Sequence, residues 1–152
     1  MSVNESMKPV GGVLSAELFW ARDVESLGAL TKAEKMVVEI EDDGSTYEER
    51  IVNDEGLVSV EHTLTLRSCP LLAKEWFDVE KMQILAVEGV VAKVVLASGE
   101  EIVVGYSERF GVEQALRLES LRFYSGSKPN DSPSVELKLR SRDLRSALSE
   151  NI

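Results

Sequence analysis

The feature that most constrains this chain is the run Val58-Ser59-Val60-Glu61-His62-Thr63-Leu64-Thr65-Leu66-Arg67, where apolar and polar residues alternate without a break. Alternation with period two puts Val58, Val60, His62, Leu64 and Leu66 on one face of an extended strand and Glu61, Thr63, Thr65 and Arg67 on the other. Such a strand is half buried, so a sheet must cover its apolar face. The turn Asn53-Asp54-Glu55-Gly56 leads into it from Tyr47 to Val52, which reads as the second arm of a hairpin with an earlier strand.

Other segments follow the same pattern. Val13 to Trp20 is compact and apolar behind Gly11-Gly12, as a first strand after a flexible arm would be. Residues 23–35 fit a short helix or an ordered loop. Met36 to Glu41 reads as a second strand that turns at Asp42-Asp43-Gly44-Ser45 into Tyr47 to Val52. Val90 to Leu96 and Glu101 to Tyr106 form a hairpin across Ala97-Ser98-Gly99-Glu100. Within 115–124 the apolar phase shifts from Leu116 and Leu118 to Leu121 and Phe123, which predicts a bulge near Ser120. A last strand carries Val135, Leu137 and Leu139 on one face. The exception is residues 70–82, where Leu72, Trp76, Val79 and Met82 recur at helical spacing behind Ser68 and Pro70, predicting one helix.

The pattern predicts a mainly β (α+β) fold: an antiparallel sandwich or barrel of about seven or eight strands with one packed helix. The 152 residues fit a single domain, with residues 1–12 as a flexible N-terminal arm and 141–152 as a loose tail. No apolar run reaches the roughly 18 residues of a membrane span, and the opening MSVNESMKPV has no basic start or long apolar stretch, so the chain reads as cytosolic.

Chemistry finds little foothold. His62 is the only histidine and Cys69 the only cysteine, which excludes a multi-histidine cage, an internal disulfide and a thiolate zinc cluster. On an apolar face, His62 reads as a hydrogen-bonded core residue, and nothing local activates Cys69 to make the two a nucleophilic pair. Nucleophile-elbow, Walker and dinucleotide glycine patterns are absent. Glu39, Glu41, Asp43 and Gly44 imitate the start of a calcium loop, but Arg50 stands where the closing glutamate belongs. The pairs Glu48-Glu49 and Glu100-Glu101 come without the aromatic platforms of a sugar cleft. The expectation is a chain with no catalytic centre, cofactor, metal or small-molecule substrate.

Charge is the most useful polar signal. The net charge of -10 disfavours a nonspecific grip on the phosphate backbones of nucleic acid, and with no apolar span no membrane partner is expected either. Between Glu39 and Glu55 eight carboxylates meet one base, Arg50, whereas Lys138, Arg140, Arg142 and Arg145 meet one acid, Asp143. A subunit so polarised can stack on its own copy, with Asp42, Asp43, Glu48, Glu49, Asp54 and Glu55 facing Lys138, Arg140, Arg142 and Arg145. The bland alternative is two solvated surfaces.

The hairpin from Gly89 to Glu100, its continuation through Val103-Val104-Gly105-Tyr106, the SGSKPNDSP loop and the closing SVELKLRSRD strand resemble small virion or tail-associated proteins encoded by bacterial prophages. The likeness covers roughly residues 57–143, and the layout of strands with one helix is similar to the phage tail-tube class, whose subunits form stacking rings. It implies a structural, self-assembling protein without a cofactor, whose partners are its own copies and other tail proteins, cytoplasmic before assembly and part of the virion afterwards. The first strand and residues 23–35 lie outside it. The competing expectation is a monomeric β-sandwich that binds a ligand or protein partner through its loops.

Overall fold

The computed structural model describes residues 12–24, 35–36, 38–41, 44–106 and 111–143. Among these residues eight strands run in chain order: β1 (Val13–Trp20), β2 (Lys35–Met36), β3 (Thr46–Asp54), β4 (Leu57–Ser68), β5 (Val90–Leu96), β6 (Glu101–Val104), β7 (Arg117–Tyr124) and β8 (Ser134–Asp143). Among the described residues there is one α-helix, α1 (Val79–Val87), between β4 and β5. The strands make two antiparallel sheets of four, ordered β2-β1-β5-β6 and β3-β4-β8-β7. Neither sheet closes on itself, so the fold is an open sandwich and not a barrel.

A single core fills the space between the sheets. Ala16, Leu18, Ala92, Val94, Ile102 and Val104 come from the first sheet, and Leu64, Leu66, Val135, Leu137 and Leu139 from the second. Alternation alone delivers these residues inward, because every second side chain of each strand points the same way. A smaller cluster of Phe19, Val24 and Val91 covers the opposite face of the first sheet.

The β3–β4 turn shows how local chemistry sets register. Glu55 (φ 51°) and Gly56 (φ 90°) both adopt the left-handed region, as a two-residue hairpin turn requires, and Asn53 Oδ1 accepts from the Gly56 N–H at 2.9 Å. Gly89 ends α1 at φ 81°, and a Cβ there would stand 2.4 Å from the Leu116 carbonyl oxygen. That close approach lets Val90 and Leu116 exchange backbone hydrogen bonds at 2.8 and 2.9 Å, tying β5 to the segment that leads into β7.

Several expectations need correction. Met36 to Glu41 does not form a hairpin with β3. Among the described residues of this stretch only Lys35–Met36 is strand, and it pairs with β1, while the Glu41 N–H donates to the Arg67 carbonyl (2.9 Å) and the Ser68 hydroxyl to the Glu39 carbonyl (2.7 Å). Met36 thus belongs to the edge of the first sheet, whereas Glu39 and Glu41 bond to the end of β4, beyond its last pair with β3 at Thr65. The helix is displaced as well: residues 70–73 are turn, Lys74–Phe77 a 3-10 turn, and α1 begins at Val79. Asp78, not Ser68, is its N-cap and accepts from the Glu80 N–H at 2.9 Å, because a carboxylate at this position satisfies amide groups that the first helical turn leaves open. Of the expected stripe, Trp76 and Met82 are buried but Leu72 and Val79 are exposed; Ala73 and Leu85 take their places. β8 also continues through Ser141, Arg142 and Asp143, three residues into the expected tail. The bulge near Ser120 is present as a register shift between Leu118 and Ser120. Residues 1–11, most of 23–35, Asp42, Asp43 and 144–152 lie outside the described residues.

The displaced helix makes a checkable distinction. Trp76→Ala should cost about 3–5 kcal/mol in denaturant unfolding, from lost burial and the cavity left behind. Val79→Ala, on the same stripe of the sequence, should change stability by less than about 0.5 kcal/mol.

Candidate functional site

Three adjoining features of the second sheet hold its polar chemistry: a buried cluster on the inner face, a charged groove on the outer face and an exposed hairpin tip. All three follow from the pairing of β4 with β3 on one side and β8 on the other.

On the inner face, Glu49 stands opposite His62 and Tyr47 opposite Leu64. His62 is 3% exposed, as expected of a core histidine. Tyr47 Oη lies 2.6 Å from Glu49 Oε1 and 2.7 Å from His62 Nδ1. A phenol has one proton, so the arrangement that satisfies both contacts has His62 Nδ1–H donating to Tyr47 Oη while Tyr47 donates to Glu49. Burial raises the Tyr47 pKa far above its ordinary 10.0, and the bond to Glu49 and its negative charge push in the same direction. Cys69 follows β4 seven residues beyond His62, on the order of 20 Å along an extended strand. The two do not form a nucleophilic pair.

On the outer face the register sets three rows across β3, β4 and β8: Thr46, Thr65, Lys138; Glu48, Thr63, Arg140; and Arg50, Glu61, Arg142. The first two rows, with Arg50, Glu61 and β7's Glu119, line an open groove of about 370 Å³. Glu61 is its most buried charge, with a side chain 8% exposed that takes a hydrogen-bonded ion pair from Arg140 and a second from Arg142 at 3.3 Å. Glu119, the bulge residue, approaches Arg140 at 3.6 Å. Among the described residues, Lys138, Arg50 and Glu48 make no ion pair, although none is far from an opposite charge.

The sequence-derived acidic and basic clusters therefore fare differently. Glu48 shares one groove of a single copy with Lys138 and Arg140, so it does not stand on an opposite patch. Glu49 is engaged inside with Tyr47. Asp54 and Glu55 sit at the exposed tip of the β3–β4 hairpin, away from Lys138, Arg140 and Arg142. Asp42, Asp43 and Arg145 are outside the described residues. Sequence reasoning missed Glu61 and Glu119 because each is an isolated acid in an alternating strand, and only non-local pairing reveals that Glu61 faces two arginines.

The hairpin tip is also apolar. Ile51 is 74%, Leu57 73% and Val58 54% exposed. Among the described residues, pairing of β4 with β8 begins at Val60, opposite Asp143, and the β3–β4 ribbon runs roughly 10 Å beyond that pair. Among the described residues no three acidic, histidine or cysteine side chains are placed to share a metal ion. Comparison of the chain with models of known families, with curated proteins and with solved structures finds no match.

Two outcomes test this geometry. Replacing Arg140 and Arg142 together by leucine should destabilise the fold by about 3 kcal/mol, because it strands the buried Glu61 carboxylate, whereas Glu61→Gln should cost about 1 kcal/mol, since both arginines are half exposed and can be solvated. Equal costs in denaturant unfolding would contradict the asymmetry. The raised Tyr47 pKa means that the neutral phenol adds stability in full below the unfolded-state value near 10, and that this stability falls as pH climbs above it. Unfolding free energies followed upward from neutral pH should therefore decline more steeply above about pH 10 in the parent than in Tyr47→Phe.

Proposed function

We propose that this protein is a non-enzymatic structural component that assembles with copies of itself, in the manner of the phage tail-tube proteins that its 57–143 region resembles. The observation that carries the reading is the β3–β4 ribbon, which among the described residues runs beyond its pairing with β8 and holds Leu57 and Val58, with Ile51 at its base, in solvent. Three large apolar side chains on one short projecting hairpin lower the free energy of the chain when a partner surface covers them. Further support comes from the four sheet edges of an open sandwich, since edge strands offer unpaired amide and carbonyl groups to a neighbouring chain. The titratable groups best placed for chemistry favour the same reading: His62 and Glu49 are taken up in the buried Tyr47 cluster, and Cys69 is remote. In this role the chain would be made in the cytoplasm, with other tail proteins as further partners.

The outer-face groove favours a second reading, a monomeric module that holds a small polar ligand between Glu48, Arg50 and Lys138 over the hydroxyls of Thr63 and Thr65. Molar mass by light scattering over a concentration series separates the two. Self-assembly predicts a mass that rises above the single-chain 16.8 kDa as concentration increases. A mass fixed at 16.8 kDa throughout would overturn self-assembly and favour the binding module.

A further inference from the structure

We infer that the acidic tip of the β3–β4 hairpin of one copy seats in an arginine-lined groove between β7 and β8 of a second copy; this rests on the self-assembling reading above. The groove encloses about 520 Å³ and is lined by Gln114, Arg117, Leu118, Glu119, Arg140 and Arg142, with Ser141 behind them. Its charge is the reverse of the molecule's. Arg140 and Arg142 share the single carboxylate of Glu61, with Glu119 beside Arg140. Arg117 makes no ion pair among the described residues: its guanidinium donates to the backbone carbonyls of Val87 (3.0 Å), Glu113 (3.3 Å) and Ala115 (3.4 Å). Carbonyl oxygens orient a guanidinium without neutralising it, so the groove keeps a positive surplus on a chain of net charge -10.

The tip has the complementary makeup. Asp54 and Glu55 are exposed and make no ion pair among the described residues, and Leu57 follows them at the start of β4, on the face that carries Ser59 and Glu61. Within one copy the tip cannot reach the groove, because it projects along β3 and β4 while the groove opens two strands away. A second copy removes that restriction. Two carboxylates then meet three arginines, and Leu57 meets Leu118, the apolar side chain in the lining. Tip and groove are different patches, so the contact closes a two-fold pair where two copies exchange it reciprocally and propagates into a ring or a stack where it runs one way. Apolar contact supplies most of the affinity, and the charges set the orientation and the encounter rate.

The test is a charge swap in the full chain. Asp54→Lys with Glu55→Lys changes exposed side chains that hold no ion pair in their own copy, and a thermal melt matching the parent confirms the fold. Sedimentation at low salt should show association weakened at least about tenfold, as two exposed ion pairs turned repulsive would do. Arg142→Glu should weaken it likewise, with Glu61 still held by Arg140. Mixing the two variants should restore association, since each then offers the surface that the other lacks. A parent that associates while Asp54→Lys with Glu55→Lys does so equally well would overturn this contact and leave self-assembly standing. Failure of the mixed variants to associate would also overturn it. A parent that stays monomeric throughout would overturn the self-assembling reading itself and this contact with it.

Discussion

The rest of the molecule depends on the pairing of β4, a twelve-residue strand hydrogen-bonded on both sides. Its even-numbered residues from Val60 to Ser68 face the core, and its odd-numbered residues from Glu61 to Arg67 face out. Because side chains alternate with period two, a slip of one residue would bury Glu61, Thr63 and Thr65 and expose Leu64 and Leu66. The register that fills the core is thus the register that builds the outer groove. It also requires the Tyr47–His62–Glu49 cluster, since the inward row contains a histidine that must be hydrogen-bonded where water is excluded.

Electrostatics follow from the same pairing. An acidic chain could spread its repulsion evenly, yet β8 places Lys138, Arg140 and Arg142 beside the outward row of β4. Glu61 is the acid that Arg140 and Arg142 share. Burying its carboxylate carries a desolvation cost that two arginine contacts offset, and the remaining positive charge stays at the surface. Meanwhile Asp54 and Glu55 are held away from that surface by a turn whose two left-handed residues project them at the end of the ribbon. Separation of opposite charges within one copy is what leaves them available to another.

Much of the architecture was legible in the sequence because it was local. The alternation in β4 and β8, the hairpin joining β5 to β6 and the phase change that marks the β7 bulge depend on neighbouring residues alone. Non-local choices were not legible. Nothing in Met36 to Glu41 says that β1 would take its first residue as a strand partner and β4 its last as a bonding partner. The helix was misplaced because Leu72, Trp76, Val79 and Met82 keep helical spacing across a 3-10 turn, where Trp76 reaches the core by a different path, while the start signal that matters is the Asp78 carboxylate. For the site, composition located the acidic and basic segments, but only pairing could show that Glu48 shares a groove with Lys138 and Arg140 while Asp54 and Glu55 stand apart.

Amide hydrogen exchange along β3 and β4, measured from dilute to concentrated protein, tests most directly the claim that the ribbon is built to be covered by a second copy. In dilute solution, residues 60–68, paired with β8 throughout and with β3 as far as Thr65, should exchange slowly, and residues 52–58 should exchange faster. As concentration rises, exchange in 52–58 should slow while 60–68 stays unchanged. Residues 52–58 that exchange at one rate across the whole range, or that are already as protected as 60–68 when dilute, would contradict the account.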